Sequence, residues 1–485
     1  MRNGEGMLLN KLLDGCQINE VCGDLNIQIK NIKINSAEVE EGDCFIALVG
    51  KKSDGHKWAD EAVAKGASAV ICCSEYSNSL ACVVRVDDTR KAYSIMAQNY
   101  YDRACDKLKL ITVVGTNGKS TTAYLIKELL QRGGINCGLI GTMYYEYADV
   151  KLSANLTTPD PMELNGLFAK MLAADMQYVV MELSAHAIYL NKLYGVKADM
   201  SVFTNLSQDH LDFFGNMSQY GECKKSYFVK DNTNLAIVNV DDALGLQIIK
   251  ENKLPIITYG LDNPSDAFAI NITSGENGET FVANVLDDIL DINCRFFGKF
   301  NVYNMLGALV VAKKVGLSNR TIMQNLPDIP TPDGRFNVVK KKGVTYVIDF
   351  AHTPDGMFNL LKEGRHMTDK KVITIFGCGG DRDVTKRPVM GKIAGEMSDI
   401  VIVTSDNPRT ESREAIAGDI LQGLQPKGHL YVELDRAKAI RLGVELARQG
   451  DCVFIAGKGS ENYIDENNVK TPYSDLQELL DAVGG

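Results

Sequence analysis

The run Leu110 to Val114 is apolar but for Thr112. It breaks at Gly115-Thr116-Asn117-Gly118-Lys119-Ser120-Thr121, before a helical pattern that begins near Ser120. A strand, a glycine-containing turn and a helix in that order bring backbone N–H groups and a helix N-terminus to one point, which is how a chain cradles phosphate. In such a loop Lys119 would neutralise the outer phosphates and the Ser120 hydroxyl would ligate magnesium. The leading glycine stands two residues closer to the lysine than in G-x-x-x-x-G-K-[ST], so an ordinary glycine turn remains the competing reading of this loop taken by itself.

Strand candidates follow at Tyr178 to Leu183, Ser201 to Asn205 and Leu235 to Val240, separated by helical patterns, which predicts a mainly parallel sheet around the loop. At 485 residues the chain is too long for one core, and about three domains are expected. Before the loop, residues 20–100 mix short β-type runs (Cys44 to Val49, Ser68 to Cys72, Ala81 to Val86) with helix near Trp58 to Lys65. After it, Leu326 to Arg335 packs three prolines into ten residues and reads as a linker. Beyond that, strands at Thr345 to Phe350, Lys371 to Phe376, Asp399 to Thr404, His429 to Leu434 and Cys452 to Ala456 alternate with helices, the pattern of a doubly wound domain. The expectation is an α/β protein of three domains: residues 1–105, a central P-loop ATPase-like domain at 106–334, and a Rossmann-like domain at 335–485. Gly377, Gly379 and Gly380 lack the last glycine of G-x-G-x-x-G, which argues against a nicotinamide site.

A net charge of −10 argues against a general nucleic-acid binder. The apolar stretch at the N-terminus is broken by Asn10 and Lys11, and no apolar run is long enough to span a bilayer, so a cytoplasmic protein without membrane insertion is expected. The 12 cysteines are scattered without a C-x-x-C pair and read as small core residues.

The shortened loop GTNGKST resembles the nucleotide loop of the Mur ligases and the related folylpolyglutamate synthetases. Seven further segments resemble that family in order: MELSAHA (181–187), SQDHLDFFG (207–215), GKFNVYN (298–304), DFAHTPDG (349–356), GCGGDRDVTKRPVMG (377–391), SDNPRTE (405–411) and GKGSENY (457–463). The resemblance covers nearly the whole chain and implies an ATP-dependent amide-bond ligase.

Residue by residue, it implies a magnesium site at Ser120, Glu182 and His210, completed by Lys224, whose position matches the lysine that Mur ligases carbamylate. An ammonium beside a divalent cation would be repelled, whereas a lysine of lowered pKa can capture carbon dioxide and become an anionic oxygen ligand. Asn301 and Asn304 would read adenine, since an amide both donates and accepts; helix capping is the alternative for an Asn there. Arg335 and Asp349 would hold the ATP ribose and phosphates. By the same resemblance residues 1–105 would be the UDP-muramoyl substrate-binding domain, 106–334 the ATP-binding one and 335–485 the amino-acid-binding one, and Asn155, Thr157, Thr158 and Ser184 resemble the loop and rim that position the UDP-muramoyl-dipeptide. Lys192 stands where an arginine is frequent and Ser36 begins a Ser-Ala pair where Ser-Arg is common. Asp406-Asn407-Pro408-Arg409 resembles the DNPR of the diaminopimelate-adding branch, and Arg387, Gly457 and Glu461 would complete the amino-acid pocket. Diaminopimelate exceeds lysine by one carboxylate, which a guanidinium fork binds bidentately. Ser460 replaces a frequent histidine, and His56 receives no role.

The implied partners are small molecules, ATP with magnesium, UDP-MurNAc-dipeptide and meso-diaminopimelate, acting on a monomer. Open alternatives are a lysine-adding ligase, a folylpolyglutamate synthetase, and a silent ATP-binding scaffold or specialised paralogue.

Overall fold

The structure, a computed structural model, describes residues 6–50, 53–251, 253–275 and 277–484. Its three principal sheets follow one another along the chain. The first has five strands in the order Ile18–Cys22, Cys82–Val86, Ala69–Cys72, Cys44–Ile46 and Ile32–Lys33, antiparallel only at the first pair. The helix Thr89–Tyr100 is started by the Asp88 carboxylate, which accepts from the backbone N–H of Arg90 and Lys91. It also ties this unit to the next: the Ser94 hydroxyl lies 3.1 Å from the Lys192 carbonyl and 2.9 Å from that of Tyr194. Trp58, the only tryptophan in the chain, closes the turn Gly55–Trp58 and is 51% exposed.

The central sheet has eleven strands. Seven run parallel: Cys137–Ile140, Tyr178–Leu183, Lys109–Val114, Ala198–Phe203, Thr233–Asn239, Ile256–Gly260 and Ala267–Gly275. Strands covered on both faces read as continuous apolar runs, which is why the middle four were legible. Both edges turn antiparallel, through Tyr144–Tyr147 with Val150–Ser153 on one side and Gly278–Val285 with Asp288–Asn293 on the other. Those strands went unread, because they mix polar residues into half-exposed faces. The helix Lys299–Val315 is apolar nearly all round and is correspondingly buried, against the Lys119–Arg132 helix.

The proline-rich linker is only partly a linker. Leu326 and Ile329 are fully buried in the central core, so residues 330–335 alone make the crossing. At its end Gly334 has φ +66°, and a Cβ there would lie 2.0 Å from the Ser460 backbone nitrogen. No side chain fits between this tether and the segment 457–461.

The third sheet runs Asn337–Lys341, Val344–Asp349, Cys452–Ala456, Val372–Phe376, Ile400–Val403 and His429–Val432, antiparallel only at the first pair. The carboxyl ends of three central strands deliver Gly377–Gly380, Ser405–Arg409 and Gly457–Glu461 to one edge. Beneath that edge lies a fully buried ion pair, Arg436 with Asp475 at 2.7 Å. The same guanidinium donates to the carbonyls of Ser405 and Ala456, fixing the places where two of those loops begin. Eight of the 12 cysteines are buried.

Candidate active site

The phosphate loop leaves the middle of the central sheet, at the carboxyl end of Lys109–Val114. Gly115 is packed so closely that a Cβ would lie 1.8 Å from Thr204 Oγ1, and Gly118 takes φ +83° with a Cβ position 2.3 Å from Asn304 Oδ1. Lys119 begins the helix and folds back, donating to the carbonyls of Gly115 at 3.0 Å and Thr116 at 2.9 Å. Burial pulls its pKa down, with Glu182 and Asp209 opposing.

Glu182 ends the neighbouring strand, and its carboxylate organises the rim. It accepts from Ser120 Oγ at 2.9 Å, from the Thr142 backbone N–H at 2.8 Å and from Thr142 Oγ1 at 3.0 Å. Thr142 in turn lies 3.0 Å from Thr157 Oγ1, while Thr158 Oγ1 donates to the Glu182 carbonyl and accepts from the Ser184 N–H.

Lys224 is 1% exposed. Its amine donates to the Gly115 carbonyl at 2.8 Å and sits 4.4 Å over the Tyr220 ring. Burial, and after it the charge of Lys119, depress its pKa far below the lysine range. His210 has φ +56° and lies edge-on to His186 at 4.7 Å. Burial lowers its pKa to about 3, so the imidazole is neutral and has a lone pair to offer. Among the described residues no three His, Cys, Asp or Glu side chains gather as a ready-made metal cluster. The donor set around Ser120 is instead a hydroxyl and a carboxylate facing a phosphate cradle, which suits a cation that keeps waters and takes the rest of its shell from nucleotide.

One cavity of about 860 Å³ joins this loop to the third unit. Most of the sequence-derived site lines it: Thr116 to Thr121, Thr157, Glu182, Ser184, His210, Asn301, Asn304, Arg335, Asp349, Asp406, Asn407, Arg409, Gly457 and Glu461. Arg335 reaches across to Ser120 Oγ at 3.0 Å and stacks on Phe350. Asp349 accepts from the N–H of Phe336 and of Ala351, bracing that crossing. Asn301 and Asn304 both line the cavity, but their amides also bond each other, the Phe297 carbonyl and Thr122, so they fix the helix start as well. On the far wall Arg409, at φ +52°, gives one nitrogen to the Gly380 carbonyl at 2.6 Å. Its other side-chain N–H groups meet no protein acceptor among the described residues.

Other expected residues lie elsewhere. Arg387 is not on the cavity wall: it is 1% exposed, with its guanidinium on Glu411 and Asp419 at 2.8 Å each and on the Gly379 carbonyl. Lys192 is spent on Asp160 at 2.8 Å and the Thr158 carbonyl at 3.0 Å, and is off the lining. Ser36 lies in the first unit on Glu61, off the cavity lining, and neither exposed Asn155 nor buried Pro408 is on its wall. Gly115, the first residue of the loop, Lys224, which bonds its carbonyl from behind, and buried Thr158 are not on the lining either.

The sequence reading missed several members. Lys458, fully buried, bonds Asn407 Oδ1 at 2.9 Å and Glu461 at 3.0 Å, and Thr142 and Arg382 also line the cavity. A set of ties closes the units over it: Asn117 to Asp355 at 2.8 Å, Gln208 to Thr385 at 3.0 Å, and Asp209 to Lys386 at 3.4 Å and to His352 at 3.6 Å. Burial raises the Asp209 carboxyl, but His352, Lys386 and His210 together outweigh it and hold it well below the usual range. Lys458, Asp209 and His352 fall inside motifs already singled out; their long-range partners, about 50 to 180 residues away, gave no local signal.

Comparison with known proteins places this geometry. The family model described as Mur ligase middle domain matches residues 113–312, that of the Mur ligase, glutamate ligase domain matches 334–459, and that of the Mur ligase family, catalytic domain matches 28–101. A UDP-N-acetylmuramoyl-L-alanyl-D-glutamate–2,6-diaminopimelate ligase of Clostridium acetobutylicum is 40% identical over 94% of this chain and 95% of its own length. The Aquifex aeolicus ligase of the same name is 37% identical over 94% of each. A solved structure of a ligase with that name superposes with TM-score 0.70 at 30% identity, covering 99% of both chains. The MurF ligase of Thermotoga maritima in complex with ADP shares the fold, at TM-score 0.61 and 19% identity over 93% of this chain and 96% of its own.

Proposed function

This chain belongs to the Mur ligase family, and from that premise we infer that it is an ATP-dependent ligase adding diaminopimelate to UDP-N-acetylmuramoyl-L-alanyl-D-glutamate in peptidoglycan synthesis. The observation that carries the reading is the single cavity walled on one side by the Lys119 loop and on the other by the Arg409 guanidinium.

The chemistry divides between those walls. At the loop, the backbone N–H groups and Lys119 draw charge off the terminal phosphate of ATP while the D-glutamate carboxylate attacks it, giving an acyl phosphate and ADP. Lys119 must leave its two carbonyl partners for this, and its weakened hold on a proton is restored by phosphate charge. Magnesium, held by Ser120 and Glu182 with neutral His210 close by, would supply Lewis-acid charge. Lys224, buried and poor at holding a proton, has the nucleophilic amine that carbamate formation needs, and as N6-carboxylysine it would add an anionic oxygen there. At the other wall the diaminopimelate amine displaces phosphate through a tetrahedral intermediate, with Arg409 taking the side-chain carboxylate as a fork. Glu461 and Asp406, which line the same cavity, would attract the ammonium group that does not react. Enclosure between the units keeps water from the acyl phosphate.

The test is phosphate release with UDP-N-acetylmuramoyl-L-alanyl-D-glutamate, ATP and magnesium, comparing meso-diaminopimelate with L-lysine. Diaminopimelate should be strongly preferred, since a site built for a polar partner rejects the analogue lacking it by up to about 10⁴-fold. Preference for lysine would overturn the role of Arg409, and turnover with neither would overturn the ligase reading.

A further inference from the structure

Arg409 is held in a conformation it would not choose. Its φ of +52° is left-handed, a region that strains any residue with a Cβ and persists only where the surroundings dictate it. At the tip of the side chain the place is narrow: one guanidinium nitrogen donates to the Gly380 carbonyl, and a Cβ at Gly379 would lie 2.9 Å from Nη1. What dictates the backbone is the hairpin of strands Tyr463–Glu466 and Val469–Pro472. The Arg409 N–H donates to the Asp465 carbonyl at 2.9 Å, and the Asn467 N–H donates to the Arg409 carbonyl at 2.6 Å. Arg409 thus pairs with Glu466 in a one-residue parallel bridge, gripped at its N–H and at its carbonyl.

That hairpin needs support of its own. Its turn, Asn467-Asn468 at φ +52° and +62°, is the two-residue kind that asparagine tolerates. Two strands alone are marginal in water, so what they dock on decides whether they stay. The Glu466 carboxylate accepts from both sides of one fork, Arg413 Nε at 2.9 Å and Nη2 at 2.6 Å. Arg413 begins the helix Arg413–Gly423, which Ser412 caps. Both side chains are partly exposed, where an ion pair adds little to the stability of a whole fold. A choice between two backbone conformers at one residue turns on a difference of the same small order, and there the pair decides.

We propose that Glu466 and Arg413 are positioning residues for the amino-acid substrate: their ion pair seats the hairpin that keeps Arg409 left-handed and its guanidinium on the cavity wall. The inference rests on the diaminopimelate reading of Arg409 and deepens it. Neither residue lines the cavity, so both act on the extra carboxylate only through Arg409. Lysine, which lacks that carboxylate, has nothing to lose when the hairpin loosens.

The test is Glu466→Ala, Arg413→Ala and the double variant, each in the full chain. In phosphate release each should raise KM for diaminopimelate roughly fivefold, the reach of one bidentate surface pair, with kcat, KM for ATP and kcat/KM for L-lysine unchanged. The double variant should lose no more than either single, because the two act through one contact. Melting temperatures should stay near the wild type, and hydrogen exchange read by mass spectrometry should quicken in peptides covering 405–411 and 463–472 alone. Exchange needs no turnover, so it reports on the hairpin whatever the chain ligates. Wild-type exchange in those peptides, or an unchanged preference for diaminopimelate over lysine in folded variants, overturns the proposal. So does additive loss in the double variant, which would give each residue a separate role. A wild type without that preference, whose variants still exchange faster, overturns the reading of Arg409 and takes the substrate half of this proposal with it.

Discussion

Two arginines that look alike in the sequence, Arg387 before Pro388 and Arg409 after Pro408, have opposite fates. The difference lies in which carboxylate each meets, and Glu411 and Asp419 stand 24 and 32 residues beyond Arg387, too far for a local pattern to reveal. Arg409→Ala should therefore raise KM for diaminopimelate by two orders of magnitude or more, on the order of the about 3 kcal/mol of a charge-assisted fork, with Tm nearly unchanged. Arg387→Met should do the converse, lowering stability by about 1–3 kcal/mol while sparing diaminopimelate affinity; paired kinetics and melting curves separate the two. Lys224 has a distinct pH signature. Its folded pKa lies far below the about 10.4 of an exposed lysine, so between those values the unfolded chain binds a proton that the folded chain does not, and folding is penalised there. The penalty fades as pH rises through about 10. Lys224→Met should accordingly raise Tm at pH 7 in bicarbonate-free buffer, with the gain shrinking at alkaline pH, and should abolish turnover. A Tm that does not rise at pH 7 would refute this account.

At the level of strands and helices, legibility followed burial. Lys109–Val114, Tyr178–Leu183 and Cys452–Ala456 are covered on both faces, so their apolar runs marked them, and each ends where a site loop begins. The meander over 267–293 alternates exposed and buried positions and slips register between Ile270 and Thr273, and it left no comparable trace, although Ser274 and Glu279 on the cavity wall lie within it. The linker was over-read for a related reason: prolines mark breaks in local structure and say nothing of the core that swallowed Leu326 and Ile329. Arg436, drawn from an ordinary amphipathic helix, proved to be the keystone between Asp475 and two site loops. Removing one partner of a fully buried pair strands the other, so Arg436→Ala should cost about 3–5 kcal/mol by chemical denaturation. It should also raise KM for diaminopimelate, because the loops at Ser405 and Ala456 lose their common anchor. Unchanged kinetics in a folded variant would show that those loops hold themselves.

Across the whole molecule, the order of the segments was readable but their convergence was not. The cavity joins residues up to about 340 apart, and only the parallel topology of two sheets, each offering its carboxyl edge, brings them face to face. The ties from Asn117 to Asp355 and from Asp209 to Lys386 and His352 hold the third unit over the phosphate loop, so breaking them should let it swing away. Asp355→Ala combined with Lys386→Ala is expected to enlarge the radius of gyration in small-angle scattering and to raise KM for ATP and diaminopimelate together. Identical scattering from variant and wild type would mean that the tether at Gly334 alone sets the arrangement. Among the described residues no helix is long and apolar enough to cross a membrane.

The lone indole of Trp58 makes the first unit its own optical reporter. It stands one helical turn from Glu61, the partner of Ser36, and far from the cleft where nucleotide and amine meet. If the first unit takes the uridine end of the precursor, as the resemblance around Ser36 implies, its emission should respond to that precursor and stay silent to ATP, so a single fluorescence channel would time the arrival of one substrate without interference from the other two.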